Sequence, residues 1–276
     1  MGTLTTVLLV LLAIFLVIVL LWLWAIAPRL TNRPSFEELE KWDYAHRGLH
    51  DDKIPENSLP AFENAVKHGY GMEFDLQLTK DKQVVIHHDN NLKRICGVDK
   101  KISDLTLEEL NQIHLYDTDC TCPLFSDVLK TVDGKTPLII EFKGYNNVEE
   151  LCEAGWEVLK DYKGLYCVES FHPGIVHWFR KNQPQVIRGQ LMVRYTSKDP
   201  ETPTPIHAFM ARNLLTNFYA RPDFEAYDYH TRNNLSLKLC RKVFGIQEVS
   251  WTVRDRDTHE ELKSDGCISI FEKFMA

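Results

Sequence analysis

The chain has 276 residues, with 32 Lys and Arg against 39 Asp and Glu, for a formal net charge of −7. No long basic run is present to neutralise a phosphate backbone, which excludes nucleic acid as the main partner. The 7 cysteines, an odd number scattered from Cys96 to Cys267, fit free thiols in a reducing compartment and exclude a disulfide framework; Cys120-Thr121-Cys122 is not by itself a zinc spacing.

Residues 4–27 carry no charge and are almost all Leu, Val, Ile, Ala, Phe and Trp. As a helix they are long enough to cross a bilayer core of ~30 Å. Ala25-Ile26-Ala27 offers small residues at a cleavage-like spacing, but the apolar stretch is longer than a signal core and no basic residue precedes it, so a retained anchor is expected. Arg29, Arg33 and Lys41 follow the span closely, which places the remainder on the cytoplasmic side of the membrane. The expected division is an anchor over residues 1–30 and one catalytic domain over 31–276, roughly 245 residues and enough for a single core.

After the anchor, short apolar runs of strand type recur at 44–47, 72–78, 84–88, 138–143, 166–171, 186–192, 224–229, 249–253 and 267–271. Helical patterns at 58–68, 124–132, 148–161 and 173–182 separate several of them, and this alternation implies parallel strands joined by crossovers, in a single barrel or a doubly wound sheet. The runs at 72–78 and 84–88 are too close for a crossover and must form an antiparallel hairpin. Without that return strand eight remain, the number that closes a TIM (β/α)8 barrel with its site at the carboxyl ends of the strands. Residues 196–205 form a Pro- and charge-rich connection into Ile206, Phe209, Met210, Leu214 and Phe218 at helical spacing. Such a stripe ordinarily faces the core; beside an anchor it also suits a membrane interface.

Alternation along 72–78 puts Glu73, Asp75 and Gln77 on one face and Met72, Phe74, Leu76 and Leu78 on the other. A hairpin loop of two or four residues sets Asp75 opposite His88, about 5 Å apart, and a bulge would bring His87 in instead. In Leu138-Ile139-Ile140-Glu141-Phe142-Lys143, Glu141 and Lys143 share a face in the same way. Three gathered carboxylates repel one another unless a cation neutralises them, and oxygen ligands select a hard ion such as Mg²⁺ or Ca²⁺. Singly, each of these acids also reads as a solvated strand end.

The chain resembles the glycerophosphodiester phosphodiesterase family in its membrane-anchored bacterial form. The matching residues are His46-Arg47-Gly48, Pro55-Glu56-Asn57, Glu73-x-Asp75, Thr79-Lys80-Asp81, His88-Asp89 with Arg94, and Leu105-Thr106-Leu107-Glu108-Glu109-Leu110. Pro123-Leu124, Glu141-x-Lys143, Ser170-Phe171 and Trp251-Thr252-Val253 complete them. The resemblance implies a TIM barrel that hydrolyses glycerophosphodiesters to an alcohol and sn-glycerol 3-phosphate, a reaction of lipid metabolism. It assigns His46 and His88 as the catalytic acid and base, Glu73, Asp75 and Glu141 as ligands of a divalent metal, and the glycerol 2-hydroxyl as the usual attacking group. Arg47 and Lys143 would clamp the phosphoryl oxygens, or form internal salt bridges to Glu56 and Glu141. Glu56 is expected to orient Arg47 or a ligand from behind, and Phe171 and Trp251 to line the substrate pocket or the core.

His87, adjacent to His88 on a strand, points to the opposite face and reads as packed or exposed; His50, His68 and His114 match no motif and read as structural. Two departures stand out: Asp81 is followed by Lys82-Gln83 where the family has glycine, and Ile268-Ser269-Ile270-Phe271-Glu272 replaces its terminal Thr-Asp. Alternatives of the same chemistry are a lysophospholipase D-like enzyme or a phosphodiesterase of lipid polymers. A non-catalytic membrane scaffold is the alternative of another class.

Overall fold

The computed structural model describes residues 2–145, 147–194 and 204–276. Among the described residues nine strands run in chain order as β1 (Tyr44–Ala45), β2 (Gly71–Leu78), β3 (Val84–Ile86), β4 (Leu138–Phe142), β5 (Tyr166–Ser170), β6 (Arg188–Met192), β7 (Phe224–Asp228), β8 (Gln247–Val253) and β9 (Ile268–Phe271). β1 pairs in parallel with both β2 and β9, and the remaining pairings link β9, β8, β7, β6, β5, β4 and β2 in turn. Eight parallel strands therefore close a barrel, and β3 lies antiparallel on the end of β2.

Alternation divides the strand residues between two layers. Met72, Phe74, Leu76, Leu138, Ile140, Phe142 and Val168 pack outward against the helices Leu59–His68, Phe125–Val132, Val148–Leu159 and Pro173–Asn182. Tyr44, Ile139, Cys167, Phe224, Val249 and Ile268 point inward and fill the amino-terminal half of the barrel, sealed by Leu39 and Phe36. That plug leaves only the carboxyl end open for polar side chains, which is where the barrel architecture puts its chemistry.

The hairpin departs from the expected register. Leu78 faces Val84 and Leu76 faces Ile86, so the turn Thr79-Lys80-Asp81-Lys82-Gln83 holds five residues and the backbone N–H of His87, not of His88, meets the Asp75 carbonyl at 3.0 Å. An odd loop shifts pairing by one, and here Lys82 takes the left-handed conformation, φ 63°, at the place where glycine is usual. β3 ends at Ile86, and His88 turns toward the barrel mouth from beyond the strand. His87 is buried in a satellite core with Val85, Leu92, Ile95, Leu110 and Cys122, its Nδ1 3.7 Å from the Cys122 sulfur.

The apolar amino-terminal segment forms α1 (Gly2–Ile26), whose most apolar 18-residue window is unburied. Only its end docks on the domain: Ile26 is buried with Met192, Leu214, Tyr227 and Cys240, and Trp24 stacks on Phe218 at 5.4 Å. Arg29 and Arg33 are anchored to main-chain carbonyls of Pro184 and Gly245. The expected helical stripe is split. Leu214, at φ 57°, breaks the helix Pro205–Arg212 from the next turn and is buried, whereas Ile206 and Phe209 are 72% and 63% exposed. Of the Pro-rich connection over 196–205, residues 196–203 lie outside the described residues. All seven cysteines are free.

Candidate active site

The turn after β1 shapes one wall of the mouth. Arg47 has φ 54° and Gly48 φ 79°, so the chain doubles back; a Cβ on Gly48 would sit 2.9 Å from the Ala61 Cβ and 3.0 Å from its carbonyl carbon. Ser58 then starts the helix Leu59–His68 by accepting from the Ala61 N–H, with Pro60 in the first turn and Gly69 closing it at φ 73°. Through this packing, His46 and Arg47 are held over the end of β2: the Arg47 N–H donates to Glu73 Oε2 at 3.2 Å, and His46 Nε2 is 3.9 Å from the same oxygen.

Register brings the acids together. Asp75 on β2 lies beside Glu141 on β4, which lies beside Glu169 on β5. Glu73, Asp75 and Glu141 are buried, with a ligand oxygen from each within 4.8 Å of the others. The Lys143 ammonium reaches Asp75 Oδ1 at 2.8 Å and Glu141 Oε2 at 2.7 Å. Asn57, at φ 54°, donates to Asp75 Oδ2 at 2.7 Å, and Arg47 Nε lies 3.8 Å from that oxygen.

Four buried acids thus meet two cations, Lys143 and Arg47, and the surplus negative charge shows in their proton affinities. Burial pushes the Glu73 carboxyl well above its usual value, with Asp75 and Glu141 adding to the shift. Glu169 is raised well above its usual value by burial and then by Glu141, and Glu141 is raised by burial against the pull of Lys143. Burial also acts on Asp75, but Lys143, His88 and Arg47 outweigh it and hold the carboxyl well below the usual range. Glu141 Oε1 and Glu169 Oε2 are buried without a hydrogen-bond donor. An oxygen-only cluster with surplus negative charge and unpaired oxygens fits a hard divalent cation.

The two histidines each have a carboxylate behind them. His88 Nδ1 is 2.7 Å from Asp89 Oδ1, and Asp89 is fixed by Arg94 at 2.7 Å. His46 Nδ1 faces Glu272 Oε2 at 3.4 Å. Burial, with Lys143 beside His88 and Arg47 beside His46, lowers both imidazoles to about 4. Glu56 ties the wall to the satellite core by accepting from Arg47 at 2.5 Å and from Arg94 at 2.8 and 3.0 Å. Burial favours its neutral form, but the Arg94 and Arg47 guanidiniums hold it down to about 2.

All the expected polar site residues, His46, Arg47, Glu56, Glu73, Asp75, His88, Glu141 and Lys143, thus gather at one barrel end. Phe171 and Trp251 meet each other there, edge to face at 5.6 Å, packed against the inward apolar cluster. Three further residues reach the site: Glu169, Asn57 from the Pro55-Glu56-Asn57 match, and Glu272 from the terminal segment that departs from the family, none of which the sequence marked with a role. Glu169 had a readable signal, because it alternates into the barrel from the strand beside Glu141. Glu272 had none: its approach to His46 exists only because β9 closes on β1.

Residues 46–275 match the sequence profile of the Glycerophosphoryl diester phosphodiesterase family. The chain belongs to this family. It is accordingly an enzyme of that class, a phosphoric diester hydrolase. It is similar to the Bacillus subtilis protein YhdW, named as a glycerophosphodiester phosphodiesterase, with 27% identity over 243 residues that span 84% of this chain and 95% of that one. Human lysophospholipase D GDPD1 is 35% identical over 148 residues, 49% of this chain and 46% of that protein. Among solved structures, a Thermotoga maritima glycerophosphodiester phosphodiesterase superposes with a TM-score of 0.63 at 27% identity, spanning 83% of this chain and 92% of that one. An Oleispira antarctica phosphodiesterase bound to sn-glycerol-3-phosphate shares the fold with a TM-score of 0.70 at 22% identity, over 86% and 95% of the two chains.

Proposed function

We propose that the chain is a membrane-anchored, metal-dependent glycerophosphodiester phosphodiesterase that releases sn-glycerol 3-phosphate and an alcohol, with residues 1–30 as anchor and 31–276 as catalytic barrel. The observation that carries the reading is the convergence of Glu73, Asp75 and Glu141 with His46 and His88 at the open end of the barrel. Glu73, Asp75 and Glu141 would hold a divalent ion, Mg²⁺ or Ca²⁺, which supplies positive charge for the phosphoryl oxygens. Arg47 and Lys143 add their charge to the same oxygens as negative charge builds in the transition state. Of the two imidazoles, one takes the proton of the attacking hydroxyl and the other protonates the departing alcohol. Asp89 and Glu272 lie at the Nδ1 atoms and leave each Nε2 to face substrate. Glu56 steadies Arg47, and Phe171 and Trp251 offer an apolar wall to the substrate.

The membrane assignment rests on α1, whose apolar window has a mean hydropathy of 3.3. At 1.5 Å per residue its 25 residues reach about 37 Å, beyond the ~30 Å of a bilayer core. With Arg29 and Arg33 following it, the barrel faces the cytoplasm. Phe218, stacked on Trp24 of α1, and the exposed Ile206 and Phe209 favour a second reading with the same chemistry, in which the alcohol carries an acyl chain, as in a lysophospholipid. An assay of glycerol 3-phosphate release from glycerophosphocholine, glycerophosphoethanolamine and glycerophosphoglycerol, with lysophosphatidic acid release from lysophosphatidylcholine alongside, separates the two. Turnover of none of them in Mg²⁺ or Ca²⁺ would leave the scaffold alternative standing.

A further inference from the structure

We propose that His46, His50 and Glu272 form a second cation site, separate in its ligands from the carboxylate cluster, that takes a borderline-soft divalent ion such as Zn²⁺ and thereby shuts off hydrolysis. The inhibitory part rests on the functional reading above, because His46 is shared between this site and the chemistry.

The geometry is that of a three-ligand site. His46 Nδ1 lies 3.4 Å from Glu272 Oε2, His50 Nε2 lies 3.8 Å from Glu272 Oε1, and one donor atom from each of the three residues falls within 4.8 Å of the others. Bond lengths of 2.0–2.1 Å in a tetrahedral zinc site put neighbouring donors about 3.3 Å apart, so only small movements complete it. Both ring nitrogens are buried, and apart from these contacts with Glu272 neither has a hydrogen-bond partner. Two imidazole nitrogens converging on one carboxylate are a His₂Glu set, which suits zinc with one position open. The carboxylate cluster offers oxygen alone and selects differently.

The backbone holds the three in place without an ion. β1 and β9 pair at Tyr44 with Ile270 and Ala45 with Phe271, the His46 N–H donates to the Phe271 carbonyl at 2.9 Å, and the Glu272 N–H donates to the Val253 carbonyl at 2.8 Å. The site opens on a cleft of about 1450 Å³ whose lining sets five acids, Asp51, Asp52, Glu56, Asp117 and Glu272, against Lys53, Arg94 and Lys273, a small excess of negative charge on the approach. Arg254 competes for Glu272 Oε2 at 3.0 Å, but its side chain is half-exposed and turns into solvent when displaced. An ion on Nδ1 leaves the neutral His46 ring with its proton fixed on Nε2. The ring then no longer cycles between its protonation states, whichever of the two roles it plays.

The test uses the full-length protein in detergent with Mg²⁺ in excess, comparing the wild type with His50→Gln. Equilibrium dialysis against buffered Zn²⁺ should count one ion fewer on His50→Gln, and Co²⁺ should give the visible bands of a tetrahedral nitrogen-containing site on the wild type alone. Glu272→Gln, used for the ion count only, should show the same loss. In the activity arm, His50→Gln should keep the zinc-free rate within about twofold. Its half-inhibitory Zn²⁺ concentration should rise at least roughly tenfold. Equal ion counts and equal zinc sensitivity in the two proteins would overturn the proposal. Absence of any hydrolysis in Mg²⁺ would instead count against the functional reading, and the ion count and Co²⁺ spectrum would still decide the site.

Discussion

The Lys143 ammonium bridges Asp75 and Glu141, 2.8 and 2.7 Å from one oxygen of each. In the barrel mouth it is the internal counter-ion of two acids proposed as metal ligands, so it couples folding, metal affinity and chemistry. Lys143→Met should lower kcat by about 10²–10³-fold, the scale of losing one donor to a developing oxyanion. It should also destabilise the chelated protein by roughly 3–5 kcal/mol, since two buried charges lose their partner. Denaturant melts with chelator and with Mg²⁺ check this: the deficit should shrink when Mg²⁺ is present.

The acid cluster sets a pH dependence with a definite sign. Glu73, Glu141 and Glu169 have carboxyl affinities raised in the folded state, chiefly by burial. Between the unfolded value near ~4.3 and the raised folded values, the folded chain holds protons the unfolded chain has lost. Their stabilising contribution is therefore complete below the unfolded value and is lost as pH rises through the folded ones. A divalent cation displaces those protons, so its affinity grows with pH. The gap in melting temperature between Mg²⁺-loaded and chelated protein should widen steadily from pH 5 to pH 8; a constant gap would place the metal elsewhere.

Glu169 should act on the metal without being one of its three proposed ligands. Its Oε2 is buried without a donor and its nearest charged influence is Glu141. Glu169→Gln abolishes the negative charge this carboxyl gains when a cation displaces its proton and should weaken metal binding about tenfold, visible as a rise in the Mg²⁺ concentration for half-maximal rate. The rate at saturating Mg²⁺ should change far less than in Glu141→Gln.

Gly48 is required by both its backbone and its neighbours. Its φ is 79°, and a methyl group in place of its hydrogen would meet Ala61 and Phe62 atoms at 2.9–3.0 Å, so Gly48→Ala combines left-handed strain with a clash against the helix Leu59–His68. A loss of about 2–4 kcal/mol is expected from the two effects together. Activity should fall further than stability alone predicts, because His46 and Arg47 ride on the same turn; thermal melts run beside assays at low temperature separate the two effects.

The barrel and the long apolar helix were legible because they depend on local periodicity, whereas His46, Arg47, Glu56 and His88 were picked out only through the family resemblance. Alternation put Glu73 and Asp75 on one shared face and Glu141 and Lys143 on another, which barrel closure turns inward, and the spacing between Leu78 and Val84 forced a hairpin. Register was not legible: the turn uses an odd number of residues with Lys82 left-handed, a choice that a sequence without glycine there does not announce. That one-residue shift pairs Asp75 with the His87 backbone, and His88 reaches the site only because β3 stops at Ile86. The split of the Ile206-to-Phe218 stripe was equally hidden, since it depends on the left-handed Leu214. Glu272 required knowledge of how the barrel closes.

Metal-dependent hydrolysis of a glycerophosphodiester by the Glu73, Asp75 and Glu141 cluster with His46 and His88, as proposed above, is open to a single test. The most direct measurement is glycerol 3-phosphate release from glycerophosphocholine by the wild type, Glu73→Ala and His88→Ala, each with Mg²⁺ or Ca²⁺ and with chelator. Release by the wild type with metal is expected, and its loss with chelator or in either variant. Undiminished release in chelator, or by Glu73→Ala or His88→Ala, would contradict it.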